Sequence, residues 1–311
     1  MGSLIASLSS NPTLATYIQG AGEQAKSAVA DYIAPDVPVP TLMGKYKIWN
    51  AKEKLVIPET RRALGSDGTF VDLTLNGGTY NCEPHSLNVG VDFQEEQESN
   101  IVLNLIQAKA RTAANLGGMA HEKRVLTKML AGATGVDAID TTSTTIDIIK
   151  ILNGLLLQVI KGAKGWGANM ELRVLFGAGA LYKIINHGSI ISRFKGTQPK
   201  GGFISPTATD IANMLMLQCN SQVSLMVQDV NANVDAPDVE FMLGDQVLVF
   251  ASTPNPDDYD TSFMKTFRLM GQFMSARYWT APSGRQNFAG FDWSEDIQIV
   301  NAAASALAAV G

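Results

Sequence analysis

The chain contains few residues of the kinds that build metal centres, disulfide frameworks or membrane spans. Its 311 residues include two cysteines and three histidines. Cys82 and Cys219 lie in different regions without metal-binding or redox spacing, so we expect a reduced, intracellular protein. The chain has no apolar run of about 18 residues, which argues against a transmembrane helix. The N-terminus has no basic region, and we therefore expect no signal peptide.

The motifs that carry common enzyme chemistry are also missing. None of the histidines, His85, His121 and His187, stands in the spacing of a zinc protease, and no Gly-x-Ser-x-Gly sequence marks a nucleophile. Residues 162–167 lack the Gly-Lys-Ser/Thr ending of a phosphate-binding loop, and residues 177–180 lack the third glycine of a dinucleotide fingerprint. We expect no catalytic, cofactor-binding or metal-binding residues, and we interpret each histidine as structural.

Charge is scarce as well. Charged residues make up 17% of the chain, against about 25% in typical soluble domains. A protein that buries much of its surface against partners has this composition, but so has an ordinary globular protein rich in alanine and glycine. The net charge of −5 argues against tight nucleic-acid binding, whose affinity comes mainly from cations that neutralise phosphates. The length suffices for two domains with sizeable cores.

The segment 57–96 is the stretch of sequence from which the rest of the chain is best interpreted. Two runs of alternating apolar and polar residues, 69–75 and 86–91, predict strands, and Gly77-Gly78 between them predicts a turn. Such a hairpin is marginal in water by itself, so we expect it to lie on another surface. A long helix is predicted directly afterwards, over residues 93–130, with acidic residues in its first turn and basic residues in its last.

The remaining patterns mix helices and strands. Gly117-Gly118 is expected to bend or split the long helix. Three prolines within residues 34–40 predict an extended chain, and residues 302–311, rich in alanine, predict a short helix or a mobile tail. Helices are predicted over residues 12–32, 145–161, 180–187 and 207–217, strands over residues 171–176, 222–229, 247–250 and 293–300, and a strand pair or a helix over residues 263–278.

One combination of residues resembles a known family. Tandem basic residues after a proline in residues 57–63, a glycine-rich strand, the sequence Tyr80-Asn81-Cys82-Glu83 and an acidic helix start are similar to the major capsid proteins of tailed phages. The resemblance implies the α+β fold named after phage HK97, with an N-terminal arm, an extended β-hairpin loop, a long spine helix, and peripheral and axial domains. It divides the chain into an arm (1–45), an extended loop (46–92), a peripheral domain (93–136 and 260–288) and an axial domain (137–259 and 289–311).

The resemblance also implies a function that involves no catalysis. Copies of the chain would assemble into pentamers and hexamers, and these into an icosahedral shell around a phage dsDNA genome. The implied partners are other copies, a portal, and scaffolding or decoration proteins. The shell would enclose DNA without sequence-specific binding and without a membrane, as part of a virion assembled in the host cytoplasm.

The charge pattern around the extended loop suggests how copies would meet. Residues 45–62 carry six basic and two acidic residues, whereas residues 63–98 carry seven acidic residues and neither lysine nor arginine. Opposite halves of this kind can steer and register a contact between neighbouring copies, or they can pair with each other within one subunit. The candidate contact residues are Lys52, Lys54, Arg61, Arg62, Asp67, Asp72, Glu83 and Asp92.

Two other functions stay open at this point. The first is an encapsulin-like nanocompartment of the same fold, whose shell would enclose an enzyme cargo instead of DNA. The second is a soluble α/β oligomeric enzyme that uses the extended arm for dimerisation. The enzyme alternative predicts a small, discrete oligomer and a concave pocket lined by titratable groups.

Overall fold

The computed structural model describes residues 12–49, 60–62, 64–65, 67, 75–98, 102–143, 145–163, 170–197, 205–229, 238–256, 260–270 and 273–311. The chain forms two compact units, each built from separate stretches of sequence. Unit 1 consists of Met1–Gly44, Tyr80–Val125 and Thr266–Gln298, and unit 2 of Lys45–Thr79, Leu126–Lys265 and Ile299–Gly311. The described residues include no helix that is long and apolar enough to cross a membrane.

Helices and strands alternate irregularly along the chain, as in α+β proteins. The helices are α1 (Pro12–Gln24), α2 (Ala28–Ile33), α3 (Phe93–Glu98), α4 (Val102–Gly132), α5 (Ile148–Gly162), α6 (Ala178–Ile185), α7 (Gly188–Thr197) and α8 (Ala208–Asn213). The strands are β1 (Asp36–Val39), β2 (Met43–Trp49), β3 (Leu75–Asn81), β4 (Glu83–Asp92), β5 (Glu171–Gly177), β6 (Cys219–Ser224), β7 (Val227–Asp229), β8 (Val239–Phe241), β9 (Gln246–Ser252), β10 (Met264–Leu269), β11 (Ser275–Thr280), β12 (Gln286–Ile299) and β13 (Ser305–Ala309).

A five-stranded sheet is the frame of unit 1. Its long strand β12 pairs antiparallel with β11 and with β4, and β1 pairs parallel with β10. Helix α1 contributes Ile18 and helix α4 contributes Ile106 to the same core as Phe291 of β12. The predicted N-terminal helix is shorter than expected, because it ends at Gln24 and Ser27 caps a second helix by accepting a hydrogen bond from the backbone of Ala30.

The predicted long helix is present as α3 and α4, with residues 99–101 outside the described residues. Gly117-Gly118 does not split the helix as one of the two expected outcomes had it, since α4 runs through both glycines. They allow close packing instead: a Cβ atom at Gly118 would overlap the carbonyl oxygen of Ala25, and one at Gly117 would overlap the side chain of Met274.

We expect Gly118→Ala to destabilise the protein by about 1–3 kcal/mol, because the added methyl group has to displace backbone rather than a flexible side chain. The matched control is Gly154→Ala, in the interior of α5, where a Cβ atom would meet open space. That change should stabilise the protein by up to about 1 kcal/mol, through helix propensity alone. Urea unfolding followed by circular dichroism measures both; equal effects at the two positions would contradict the packing argument.

A four-stranded sheet in the order β13-β9-β5-β6 is the frame of unit 2. Its central strands β5 and β9 carry runs of consecutive buried residues, Leu172–Phe176 and Val247–Ala251, as expected for strands covered on both faces. Helix α5 begins after Asp147, whose side chain accepts a hydrogen bond from the backbone of Lys150. The core includes Leu152 and Leu156 of α5.

The C-terminus corrects the expectation of a helix or a mobile tail. After a short 3₁₀ turn (Ala302–Ala304), β13 pairs antiparallel with β9. Ala306 and Ala308 are fully buried in the core of unit 2. Alanine favours helices, but here the small side chains fit between the sheet and its neighbours, so that tertiary packing overrides propensity.

The strand prediction for the extended loop is partly wrong. Gly77 and Gly78 lie inside β3, which pairs with β2, whereas β4, which contains residues 86–91, pairs with β12. A side chain at Gly78 would overlap the ring of Tyr46, so this glycine permits a close cross-strand approach rather than a turn. The other predicted strand, residues 69–75, lies almost wholly outside the described residues.

Candidate functional site

A group of basic and acidic side chains in unit 1 surrounds the carboxylate of Glu295 on β12. We call it the Glu295 cluster. Its basic members come from the α1–α2 connection, α4 and β10, and its acidic members from α2, β1 and β12. The members are Lys26, Asp31, Asp36, His121, Arg124, Arg268 and Glu295.

Arg268 is the central member of the Glu295 cluster. Its side chain is completely buried, and its Nη1 donates to Glu295 Oε2 over 2.9 Å. Its Nε and Nη2 donate to the two carboxylate oxygens of Asp36 over 3.1 and 3.2 Å. The guanidinium carbon also lies 4.8 Å from the ring centre of Phe273, within cation–π range. Three strands are thereby tied to one side chain.

Two further basic residues, Arg124 and His121, lie beside the carboxylate of Glu295. Arg124 Nε donates to Glu295 Oε1 over 3.0 Å, and His121 Nδ1 lies 2.9 Å from Glu295 Oε2. Burial by itself raises the pKa of Glu295, but His121, Arg268 and Arg124 outweigh it and hold the pKa well below its ordinary value. The carboxylate therefore stays ionised although it is only 3% exposed.

The remaining charges extend the cluster towards the surface. Lys26 Nζ lies 2.9 Å from Asp31 and 2.8 Å from Asp36. Burial opposes the charged form of Lys26, but the two carboxylates outweigh it and raise the pKa of this lysine. Burial raises the pKa of Asp31. The cations Lys26, Arg124 and Arg268 thus balance the anions Asp31, Asp36 and Glu295.

The Glu295 cluster has the chemistry of a structural ion network. Its central members, Arg268, His121 and Glu295, are between 0 and 3% exposed, so no substrate reaches them. A buried network of this kind adds little net stability, but it fixes the relative positions of the helices and strands that carry its charges. In this protein it registers α4 against β1, β10 and β12. Sequence reasoning missed it because its members are separated by up to 269 positions, from Lys26 to Glu295.

The residues predicted to contact neighbouring copies are spread along the extended loop. Arg61, Arg62 and Asp67 are exposed. Glu83 and Asp92 stand at opposite ends of β4, where Asp92 Oδ1 also accepts a hydrogen bond from the backbone of Gln94 over 2.9 Å. Lys52, Lys54 and Asp72 lie outside the described residues. Their role as contacts between copies stays a prediction.

The other two histidines make local contacts. His187 Nδ1 lies 2.8 Å from Ser189 Oγ, and its Nε2 lies 3.0 Å from the carbonyl oxygen of Ser143. His85 packs beside Trp293, with ring centres 5.5 Å apart, and burial lowers its pKa. Among the described residues, no group of three or more histidine, cysteine or acidic side chains is arranged to hold a metal ion.

Cys82 should react very slowly while the protein is folded. It is 2% exposed, its Sγ donates to the carbonyl oxygen of Phe267 over 3.4 Å, and burial raises its pKa to about 11. We expect its alkylation at pH 8 to be roughly 100-fold slower in native protein than in denaturant, because the thiolate is the reactive form. Mass spectrometry after timed alkylation separates Cys82 from Cys219; rapid native labelling of Cys82 would contradict its burial.

Comparison with known proteins identifies the fold. No protein-family model and no curated protein matches the sequence. A phage-related protein from Bordetella bronchiseptica is 17% identical, with a TM-score of 0.69 over 96% of each chain. The capsid of cyanophage P-SCSP1u is 11% identical, with a TM-score of 0.57 over 90% of this chain and 86% of that one. The SrpI encapsulin of Synechococcus elongatus is 12% identical, with a TM-score of 0.53 over the same shares.

These structures share the arrangement of helices and strands with this chain, although their sequences are at most 17% identical to it. All three matches extend over nine tenths or more of this chain, so the likeness includes both units rather than one common motif. The mixed α+β order, the long helix α4 and the β2–β3 pair are the features that the sequence resemblance implied. The chain therefore has the HK97-like α+β fold of phage capsid and encapsulin shells.

Proposed function

We propose that this chain is a shell-forming protein, the major capsid protein of a tailed phage, and that it has no enzymatic role. The observation that carries the proposal is the end-to-end match to a phage-related protein, which covers 96% of both chains. The match to a cyanophage capsid points to the same task.

Shell formation needs many weak contacts rather than one strong one. In a closed assembly each contact is repeated by symmetry, so modest interface energies give a stable particle. In this proposal the compact units form pentamers and hexamers, and the extended loop lies across neighbouring copies. The arm, loop, peripheral and axial boundaries given above belong to the proposal, as do the portal, scaffolding and decoration partners.

Reversing the charges of Arg61 and Arg62 should slow assembly. If the basic part of the loop meets an acidic surface of another copy, Arg61→Glu with Arg62→Glu should lower the yield of assembled particles several-fold at low salt. The deficit should narrow at high salt, because screening weakens exposed ion pairs. Light scattering measures the yield. The matched control is Arg285→Glu, at an exposed position outside the predicted contact regions; equal losses from both changes would contradict the assignment.

The mass of the assembled particles and the molecules that they enclose together test the proposal. The chain has a mass of 33.3 kDa, so the smallest icosahedral shell, of about 60 copies, has a mass of about 2 MDa. Light scattering on purified protein should find assemblies of this mass or above. Particles made in phage-infected cells should then contain nuclease-protected dsDNA.

A nanocompartment is the second candidate function, because an encapsulin also matches this chain. In that case the assembled particles would contain a co-purifying enzyme and no genome. A discrete dimer or tetramer without larger assemblies would contradict both candidates.

A further inference from the structure

Unit 2 has a cavity at the edge of its four-stranded sheet, beside β6 and α8. We call it the α8–β6 cavity. Its volume is about 570 Å³, within the range of about 300–1,000 Å³ that is usual for small-molecule sites. Its lining residues come from the start of β5, from α8 and from residues 217–221 at the start of β6, and all of them belong to unit 2. A single copy therefore carries the whole lining, and the size of the cavity suits a small molecule.

The apolar part of the lining is fixed by the core of unit 2. Leu172 is buried in that core, and Met170, Leu217 and Cys219 pack against it. Leu172 and Cys219 are paired residues on the parallel strands β5 and β6, so their side chains lie on the same face of the sheet. This wall exists before a ligand binds, so binding does not have to include the cost of ordering it.

The charge of the cavity comes from Glu171, the one charged residue among its described lining residues. Glu171 Oε2 accepts from Arg173 Nε over 3.0 Å, and Oε1 accepts from Asn220 Nδ2 over 2.9 Å. Burial by itself raises the pKa of Glu171, but the hydrogen bonds from Asn220 and Arg173 outweigh it and lower the pKa. The side chain is 31% exposed, so a ligand in the cavity meets an ionised carboxylate that it can reach.

The carboxylate of Glu171 has capacity for a further donor. A carboxylate accepts about four hydrogen bonds, whereas donors among the described residues give Glu171 two at Oε2, from Arg173, and one at Oε1. The Glu295 cluster shows one carboxylate of this chain shared by two cations, with Arg268 at Oε2 of Glu295 and Arg124 at Oε1. A second cation at Oε1 of Glu171 would repeat this arrangement.

An ammonium group on an apolar body matches both parts of the lining. An ammonium group only donates hydrogen bonds, and its charge-assisted bond to a carboxylate is stronger than a bond between neutral groups. The apolar body would cover the aliphatic wall and remove it from water. An anion in the same place would be repelled by Glu171.

We propose that the α8–β6 cavity binds a small organic amine, whose ammonium group donates to Oε1 of Glu171 and whose apolar part lies against Met170, Leu172 and Leu217. The proposal goes beyond the proposed function and does not depend on it, because the lining residues belong to one copy.

Three probes with the same phenyl ring test the charge preference. They are 2-phenylethylamine, a cation at pH 7, the uncharged 2-phenylethanol, and the anion 3-phenylpropionate. Saturation-transfer difference NMR on the purified full-length protein measures their affinities. We expect the amine to bind about tenfold more tightly than the alcohol, since a charged hydrogen bond adds roughly this much over a neutral one, and the anion to bind least. Equal affinities of amine and alcohol, or an amine signal that does not saturate, would overturn the proposal.

Substitutions in the lining test where the amine binds. Thr209→Trp places a large ring at an exposed position of the lining, and should remove the binding of amine and alcohol alike. Its control is Thr127→Trp, at an exposed position of α4, which should leave both affinities unchanged. Glu171→Gln keeps the shape but removes the charge, so the amine should bind only as well as the alcohol does. Full amine binding in Thr209→Trp or in folded Glu171→Gln would contradict the assigned site.

Cys219 reports whether the cavity is occupied, without any substitution. It is a partly exposed member of the lining, whereas Cys82 is buried in unit 1. Saturating 2-phenylethylamine should slow the modification of Cys219 by a thiol-specific methanethiosulfonate several-fold and leave that of Cys82 unchanged, as followed by peptide mass spectrometry. An unchanged rate at Cys219 would overturn the proposal, also where Glu171→Gln does not fold. None of these measurements requires particles, so the absence of shells would count against the proposed function alone.

Discussion

Arg268→Met is expected to lower the free energy of unfolding by about 3–5 kcal/mol. The arginine is fully buried and donates to both Asp36 and Glu295. Methionine has a similar length but no charge, so the buried carboxylate of Glu295 and the partly buried carboxylate of Asp36 each lose a partner, which is the costly way to break a buried ion pair. Urea unfolding followed by circular dichroism measures the loss.

The control for Arg268 is an arginine in the same sheet. Arg277 pairs with Asp292 across β11 and β12, but its side chain is 51% exposed. Arg277→Met should therefore cost no more than about 1 kcal/mol. In Arg268→Met combined with Glu295→Met, part of the lost stability should return, because fewer charges are left without a partner. Similar losses of stability from Arg268→Met and Arg277→Met would show that burial of the Glu295 cluster does not determine the cost of removing an arginine.

Glu295→Gln should destabilise the protein by about 3–5 kcal/mol at pH 7 and by less in acid. Because folding lowers the pKa of Glu295, its ionised form favours the folded state. The contribution is complete above the pKa of an unfolded glutamate, about 4.3, and is lost as the pH falls from there through the folded value. The difference between wild type and variant should be constant from pH 7 to pH 5 and smaller at pH 3.

Glu240→Gln is the control for the pH series, since Glu240 is exposed on β8. That change should alter the free energy of unfolding by a few tenths of a kcal/mol at most, as surface substitutions usually do. If the gap between wild type and Glu295→Gln stayed the same down to pH 3, or grew, the assigned ionisation of Glu295 would be wrong.

The sequence was most informative where local pattern and tertiary role agree. The apolar residues of 148–160 predicted the buried helix α5, and the apolar residues 174–176 predicted strand β5. Both elements take their burial from many neighbours, so periodicity alone reveals them. The fold was predicted from the resemblance of residues 57–98 to capsid proteins, because the hydrophobic periodicity of a single segment does not specify a fold.

The features that sequence reasoning missed depend on contacts between distant segments. Gly78 and Gly118 read as turn or break signals, but their roles follow from Tyr46 and Ala25, which lie far away in sequence. The alanines of β13 predict a helix by their propensity, and their strand conformation follows only from the pairing of β13 with β9. The Glu295 cluster leaves no local trace, because each of its charges, taken alone, looks like an ordinary surface residue.

Negative-stain electron microscopy of the purified protein tests the central claim most directly. A shell-forming protein with this fold should give closed particles tens of nanometres across, or rings of five and six copies where closure is incomplete. A uniform monomer or dimer at every salt concentration and pH tested would contradict the claim that this chain builds a shell.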